Sequence, residues 1–135
     1  ASGARWWASK DPALLRDAVD IATACMRIIE VVHPQAWIVE NPVGRLQNYI
    51  GKWSYTFNPY EYGGYVANGT YTDAYSKRTC IWSNMPKPQI DPVENTRGSI
   101  MHAIGPDGAN GMDRWQIRSQ APLGFVTAWY RMVHG

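Results

Sequence analysis

With 135 residues, the chain is long enough for one compact domain and too short for two ordinary ones. Apolar residues make up 45% and charged residues 18%, which excludes a disordered chain, and a net charge of +2 gives no argument for nucleic acid by itself. The two cysteines, Cys25 and Cys80, form no CxxC or Cys/His cluster, so a disulfide framework and a structural metal are not expected, and a reducing, cytoplasmic setting fits. No apolar run reaches membrane-spanning length, and no membrane partner is expected. Seven Trp and eight Tyr against two Phe supply rings with a polar tip, suited both to core and rim packing and to stacking on bases. Ala rather than Met at position 1 reads as processing, or as a start partway through a longer gene.

The elements follow in chain order. Asp11-Pro12 opens a helix, with Asp11 as cap and Pro12 at the first helical position. Apolar residues recur at Leu14, Ala18, Ile21, Ala22, Cys25, Ile28, Ile29 and Val32, a stripe expected to face a sheet. His33-Pro34 ends the helix, because the residue before a proline is pushed out of the α region. Ala36-Trp37-Ile38-Val39 is short and continuous, and after a long amphipathic helix it predicts a central parallel strand buried on both faces. Pro42 to Ile50 predicts a short helix closed by Gly51, and Tyr55-Thr56-Phe57 a second strand. Residues 58–76 have no period and read as a loop or loose hairpin, whereas Arg78 to Trp82 reads as a third strand. The Pro- and Gly-rich stretch at about 84–112 predicts irregular backbone, with one helical turn at Asp113 to Ile117. Pro122 to Val133 is expected to form a last helix. Residues 1–135 are therefore expected to form a single α/β domain.

Glu40 and Asn41 are the first candidates for chemistry. Ligands of open α/β sheets bind beyond the carboxyl ends of the strands, where Glu-Asn-Pro-x-Gly would set a carboxylate and an amide. A carboxyl group against apolar walls can keep its proton and donate it, whereas the structural alternative makes Glu40 a cap for the helix near Pro42. Both readings stand on spacing alone. Lys77-Arg78 at a strand start could hold phosphate or a carboxylate, or be an exposed basic pair. Tyr55, Tyr60, Tyr62, Tyr65, Tyr71 and Tyr75 could line a groove for unstacked bases or pad a loop, and Arg5-Trp6-Trp7 could stack or latch onto the domain. Cys25 and Cys80 read as small hydrophobes, His33 as a helix-end cation, and His102 and His134 lack ligand partners at metal-site spacing. There is no phosphate-binding glycine loop, GxSxG or HExxH.

Four blocks, in order, resemble the cytosine-C5 DNA methyltransferases, and most closely the short phage-type methyltransferase-like proteins. Ser2-Gly3-Ala4-Arg5-Trp6-Trp7 with Lys10-Asp11 is similar to the segment after that family's Pro-Pro-Cys loop. Trp37-Ile38-Val39-Glu40-Asn41-Pro42-Val43-Gly44-Arg45-Leu46 is similar to its Glu-Asn-Val motif. Pro59-Tyr60-Glu61-Tyr62-Gly63 and Tyr75-Ser76-Lys77-Arg78-Thr79-Cys80-Ile81-Trp82 are similar to the strand pair carrying its Gln/Arg motif. Arg118-Ser119-Gln120-Ala121-Pro122-Leu123-Gly124-Phe125 is similar to its final motif, whose helix packs back near the cofactor.

The resemblance implies a partial Rossmann-like methyltransferase sheet with flanking helices, and a reaction with S-adenosylmethionine on a flipped-out cytosine. In that reaction a cysteine thiolate adds to C6, a protonated Glu contacts N3, and C5 attacks the methyl group. Glu40 would take the N3 role, Asn41 would fix the turn, and Arg78 would orient the base or its phosphate. Lys77, Arg5 and Tyr62 would bind substrate, and Ser119 and Pro122 would lie at the cofactor. The chain departs from the family in four ways. It has no match to the cofactor glycine loop or the Pro-Pro-Cys cysteine; Pro42 replaces Val; Gly64 to Ala74 is extra; and no target-recognition insert follows Trp82. The expected cofactor site is therefore incomplete, and this chain alone is expected to be inactive.

Three readings follow: a portion of a methyltransferase completed by an upstream half, a free-standing remnant or gene-cassette product from a phage or mobile element, or an unrelated small α/β enzyme using Glu40 for acid–base work. The second would bind DNA or another partner, or a second copy of itself covering an exposed sheet edge.

Overall fold

The structure is a computed structural model, and it describes residues 12–42, 44–66, 73–99 and 121–135. Helices and a three-stranded sheet make it a mixed α/β protein, in two compact units. One unit runs to Thr56 and includes Thr79–Pro86; the other comprises Phe57–Arg78 and Lys87–Gly135.

In the first unit, α1 (Pro12–Val32) ends as the sequence predicts. His33 takes a left-handed conformation (φ 51°), and its N–H bonds to the Ile29 carbonyl at 2.9 Å, which satisfies one of the last free acceptors. β1 (Ile38–Pro42) follows, then the single turn α2 (Gln47–Ile50), which Gly51 ends at φ 90°. β2 (Tyr55–Phe57) and β3 (Thr79–Ser83) complete a sheet of order β1-β3-β2. β1 and β3 are antiparallel, with Val39 opposite Trp82, Glu40 opposite Ile81 and Asn41 opposite Cys80.

This pairing corrects the expected central parallel strand. β1 is an end strand among the described residues, and Trp37, Ile38 and Val39 are half-buried rather than enclosed on both faces. A short apolar run carries no information about strand direction, which is why its pattern misled.

Directly opposed residues share a face, so Val39, Asn41, Cys80 and Trp82 lie on one side and Glu40 and Ile81 on the other. The first side carries the core, where Ala22 of α1 and Leu46 pack with Cys80 and Trp82, flanked by Trp37, Val39, Ile50 and Trp53. The Trp82 indole donates to the Gly51 carbonyl at 2.7 Å, tying the end of α2 to β3.

α1 uses only part of its expected stripe. Ala22 is buried, but Ile21, Ile28 and Val32 are exposed. At about 100° per residue these three lie roughly 80–120° round the helix from Ala22, beyond the face that meets the sheet.

The second unit is built on aromatic rings. Phe57 and Phe125 stack with centroids 3.9 Å apart, and Tyr62 meets both edge-on, at 5.7 and 5.2 Å. Tyr62 belongs to a 3-10 helix (Pro59–Tyr65) that replaces part of the expected loop at 58–76. The signal was Asn58-Pro59-Tyr60-Glu61: the Glu61 carboxylate accepts the Asn58 N–H and also pairs with Lys87 at 3.0 Å. Residues 84–99 form no helix or named strand, as expected, although Asp91 N–H bonds to the Glu61 carbonyl at 2.9 Å and Val93 N–H to that of Tyr60 at 2.8 Å. The helical turn predicted at Asp113 to Ile117 lies outside the described residues.

α3 (Leu123–His134) begins after Pro122 and buries Gly124, Phe125 and Ala128. Gly124 lets this helix touch the 3-10 helix backbone: a Cβ there would overlap the Tyr62 carbonyl oxygen and stand 2.8 Å from its carbon. Gly to Ala within a helix ordinarily stabilises by about 0.5–1 kcal/mol. Here the backbone clash dominates, and Gly124→Ala is expected to destabilise by about 2–3 kcal/mol in urea melts. At Gly64 the three atoms nearest an added Cβ all belong to the exposed, rotatable Asp91 carboxylate, so Gly64→Ala should cost less.

Candidate functional site

The sequence-predicted carboxylate and amide turn to opposite faces of β1. Asn41 is 1% exposed and lies on the face that packs under α1, opposite Cys80. Glu40 is exposed on the other face, opposite the buried Ile81. The amide is therefore enclosed in the packed face while the carboxylate remains accessible. The capping alternative for Glu40 finds no support, because α2 starts at Gln47 with Leu46 as its N-cap and no side-chain cap bond.

The antiparallel register brings the Glu40–Pro42 end of β1 beside the start of β3. Thr79, the partner of Pro42, directly follows Lys77-Arg78 in the chain, and Arg78 is exposed while Lys77 is half-buried. Cys80 is buried on the face away from Glu40, and Cys25 lies on α1; neither forms a disulfide among the described residues. Among the described residues no group of His, Cys, Asp and Glu could hold a metal ion, and no helix is long and apolar enough to cross a membrane.

Tyr62, expected at a substrate surface, is fully buried, with its ring in the aromatic cluster and its hydroxyl donating to the Pro88 carbonyl at 2.8 Å. Tyr75 is also buried, while Tyr55, Tyr60 and Tyr65 are half-buried. Burial pushes the Tyr55 phenol up to about 12, and its hydroxyl and the Trp129 indole N–H have no hydrogen-bond partner among the described residues. Arg5, Tyr71 and Ser119 lie outside the described residues.

Pro122, expected at the cofactor, is buried and forms the N-cap of α3. The helix start beside it is already occupied by a carboxylate that sequence reading missed. Asp73 is 2% exposed, and its Oδ2 accepts the Gly124 N–H at 2.8 Å. It acts as a cap from 51 residues away, which no local capping pattern reveals. Burial raises its proton affinity above the ordinary value of 3.8, opposed by the Gly124 hydrogen bond and by the charge of Arg97.

The sign for stability follows from linkage. The folded carboxyl keeps its proton to higher pH than the unfolded one, so its contribution is complete below 3.8 and is lost as pH rises through the folded value. Asp73→Asn retains an oxygen for the Gly124 N–H and removes the buried charge. Denaturant melts across the acid range should show a flatter profile for Asp73→Asn and a higher stability near neutral pH. Asp73→Ala, which leaves the N–H unpaired, should lose about 1–2 kcal/mol.

No protein-family model, curated protein or solved structure matches the chain.

Proposed function

We propose that the chain is a portion of a cytosine-C5 DNA methyltransferase-like domain, in which Glu40 is the carboxyl group that contacts the target cytosine. The observation that carries this reading is the division of β1 between its two faces: Asn41 is buried, and Glu40 stands exposed two residues before the strand's end. The motif order along the chain adds to it, with Lys77-Arg78 leading into the strand that pairs with the Glu-Asn-Pro segment.

In this reading β1-β3-β2 is one margin of a larger Rossmann-like sheet. Otherwise parallel sheets commonly carry an antiparallel strand at their margin, so the observed register is compatible with it. Taking up a proton as the base binds, Glu40 donates a hydrogen bond to N3 of an unstacked cytosine, and Arg78 and Lys77 neutralise DNA phosphate. Neither thiol fits the nucleophile, since Cys80 is buried on the face away from Glu40 and Cys25 lies on α1. S-adenosylmethionine does not fit the described residues at α3 either. Pro122 is buried, and the Gly124 N–H already donates to Asp73. No methyl-transfer step is assigned to this chain, and its proposed partner is DNA.

Fluorescence anisotropy with short single-stranded oligonucleotides differing only in a central cytosine or thymine tests the reading. The cytosine oligonucleotide should bind more tightly at low salt, and Glu40→Ala should weaken it about tenfold while sparing the thymine one. Glu40→Gln, which keeps a donor for N3, should retain most of the preference. Arg78→Ala should weaken both equally and reduce the salt slope by about one. Absence of binding at low salt, or an unchanged cytosine preference in Glu40→Ala, counts against the proposal.

A further inference from the structure

The turn that follows the Glu-Asn-Pro strand presents an aromatic ring and two cations. It is held firmly from beneath. Leu46 is buried in the core of the first unit, and Ile50 and Trp53 pack against that core. The N–H groups of Asn48, Tyr49, Ile50 and Gly51 close the turn on backbone carbonyls, and the Gly51 carbonyl accepts the Trp82 indole N–H at 2.7 Å. With Leu46 and Ile50 turned to the core, Arg45 and Tyr49, four residues apart, share the adjoining flank of the turn. Lys52 is exposed between Gly51 and the half-buried Trp53. Side chains carried on so fixed a backbone reach a partner at little ordering cost.

None of the three side chains is engaged in the fold. Arg45 and Lys52 are exposed, and Tyr49 is 52% exposed. Among the described residues their side chains make no hydrogen bond, ion pair or ring contact. The other tyrosines differ. Tyr130, also exposed, lies against His134 with ring centroids 4.3 Å apart. Tyr65 and Tyr75 each carry an arginine over the ring, and Tyr62 sits in the aromatic cluster. The ring of Tyr49 is open to a partner.

Charge says which partner. No acidic residue occurs between Glu40 and Glu61, so residues 41–60 carry +2, as much as the whole chain. A flat ring with a cation on either side in sequence suits a polymer that joins flat bases through phosphates, and any base can stack on it. A duplex keeps its base faces covered, so the ring favours an unpaired strand. An acidic peptide would satisfy the cations and leave the ring without a stacking partner. We propose that Tyr49, Arg45 and Lys52 form a contact for single-stranded DNA, the ring stacking on one base and the cations holding phosphates beside it. This contact uses no residue of the cytosine reading and shares with it only the choice of DNA as partner.

Fluorescence anisotropy of the full chain with labelled oligo(dT) tests it, because this strand offers no cytosine to Glu40. Binding at low salt is expected. Tyr49→Ala should weaken it about tenfold, the loss of one base–aromatic stack, whereas Tyr49→Phe and Tyr49→Trp should bind as the parent does. Arg45→Ala and Lys52→Ala should each lower the salt slope by about 0.7, one phosphate contact of a single strand. An abasic strand of equal length keeps the phosphates and removes the bases, so Tyr49→Ala should leave its weaker binding unchanged. Tyr49 is exposed, and circular dichroism of Tyr49→Ala should match the parent. No binding of oligo(dT), an unchanged affinity in Tyr49→Ala, a loss in Tyr49→Phe equal to that in Tyr49→Ala, or tighter binding of a duplex would overturn the proposal. The two readings fail separately. Oligo(dC) bound through Glu40 without oligo(dT) binding would remove this contact alone, and oligo(dT) bound through Tyr49 with no cytosine preference would remove the cytosine reading alone.

Discussion

The first unit depends on the antiparallel register of β1 against β3. Pairing Val39 with Trp82 and Asn41 with Cys80 puts these side chains on the face where Ala22 and Leu46 pack. Slipping β1 by one residue would turn Val39 and Asn41 away from that face and bring Glu40 onto it, burying the carboxylate against α1. Side chains at the strand ends hold the register. Ser83 donates its hydroxyl to the Trp37 carbonyl at 2.7 Å, the Asn84 amide bridges the Trp37 N–H and the Gln35 carbonyl, and Ser54 bonds the backbone of Ser83. None of these bonds is individually large, since each nets about 1 kcal/mol after desolvation. Together they make the alternative pairing forfeit several at once.

The second unit is held by a different constraint, the close approach of α3 to the 3-10 helix. Stacked Phe57 and Phe125 rings and the edge-on Tyr62 require helix and backbone to approach more closely than a side chain at position 124 allows. Asp73 secures that approach by bonding the Gly124 N–H from outside the helix. A buried carboxylate is an expensive cap, because desolvation opposes its charge; the N–H it accepts and the charge of Arg97 offset part of that opposition. The same residue segment is tied to its neighbours by Tyr75 N–H to the Asp73 carbonyl at 2.8 Å and Arg97 N–H to that of Ala74 at 2.9 Å.

What could be read in advance follows a physical divide. α1, the Gly51 stop, β2, β3 and α3 are signalled locally, by periodicity, proline and glycine, whereas the helix expected over Pro42 to Ile50 shrinks to the turn Gln47–Ile50, Pro42 itself ending β1. The direction of β1 depends on Thr79 to Ser83, about forty residues away in sequence, and the composition of the strand itself is silent about it. Tyr62 shows the same limit at the level of a side chain. A tyrosine in a Gly-rich stretch resembles a surface ring until Pro88 is known to accept its hydroxyl and two phenylalanines to meet its ring in T-shaped contact. Asp73 was invisible because its partner lies far along the chain. The 3-10 helix, by contrast, was legible in Asn58 and Glu61, and the glycines that follow obscured it.

Glu40 and Asn41 carry the functional consequence of this divide. As neighbours in a strand they cannot serve one side of the sheet together, so a site that uses both must use them differently. The amide is enclosed in the packed face, and the carboxylate is open to whatever approaches the opposite face. That separation argues against reading Glu-Asn-Pro as a pair of ligand contacts. It also removes the strongest objection to Glu40 as a base-contacting group, since the helix it was to cap begins only at Gln47, behind a Leu46 N-cap with no side-chain bond. What remains for Glu40 is an exposed carboxylate whose position is set by the register that the core of the first unit imposes on β1.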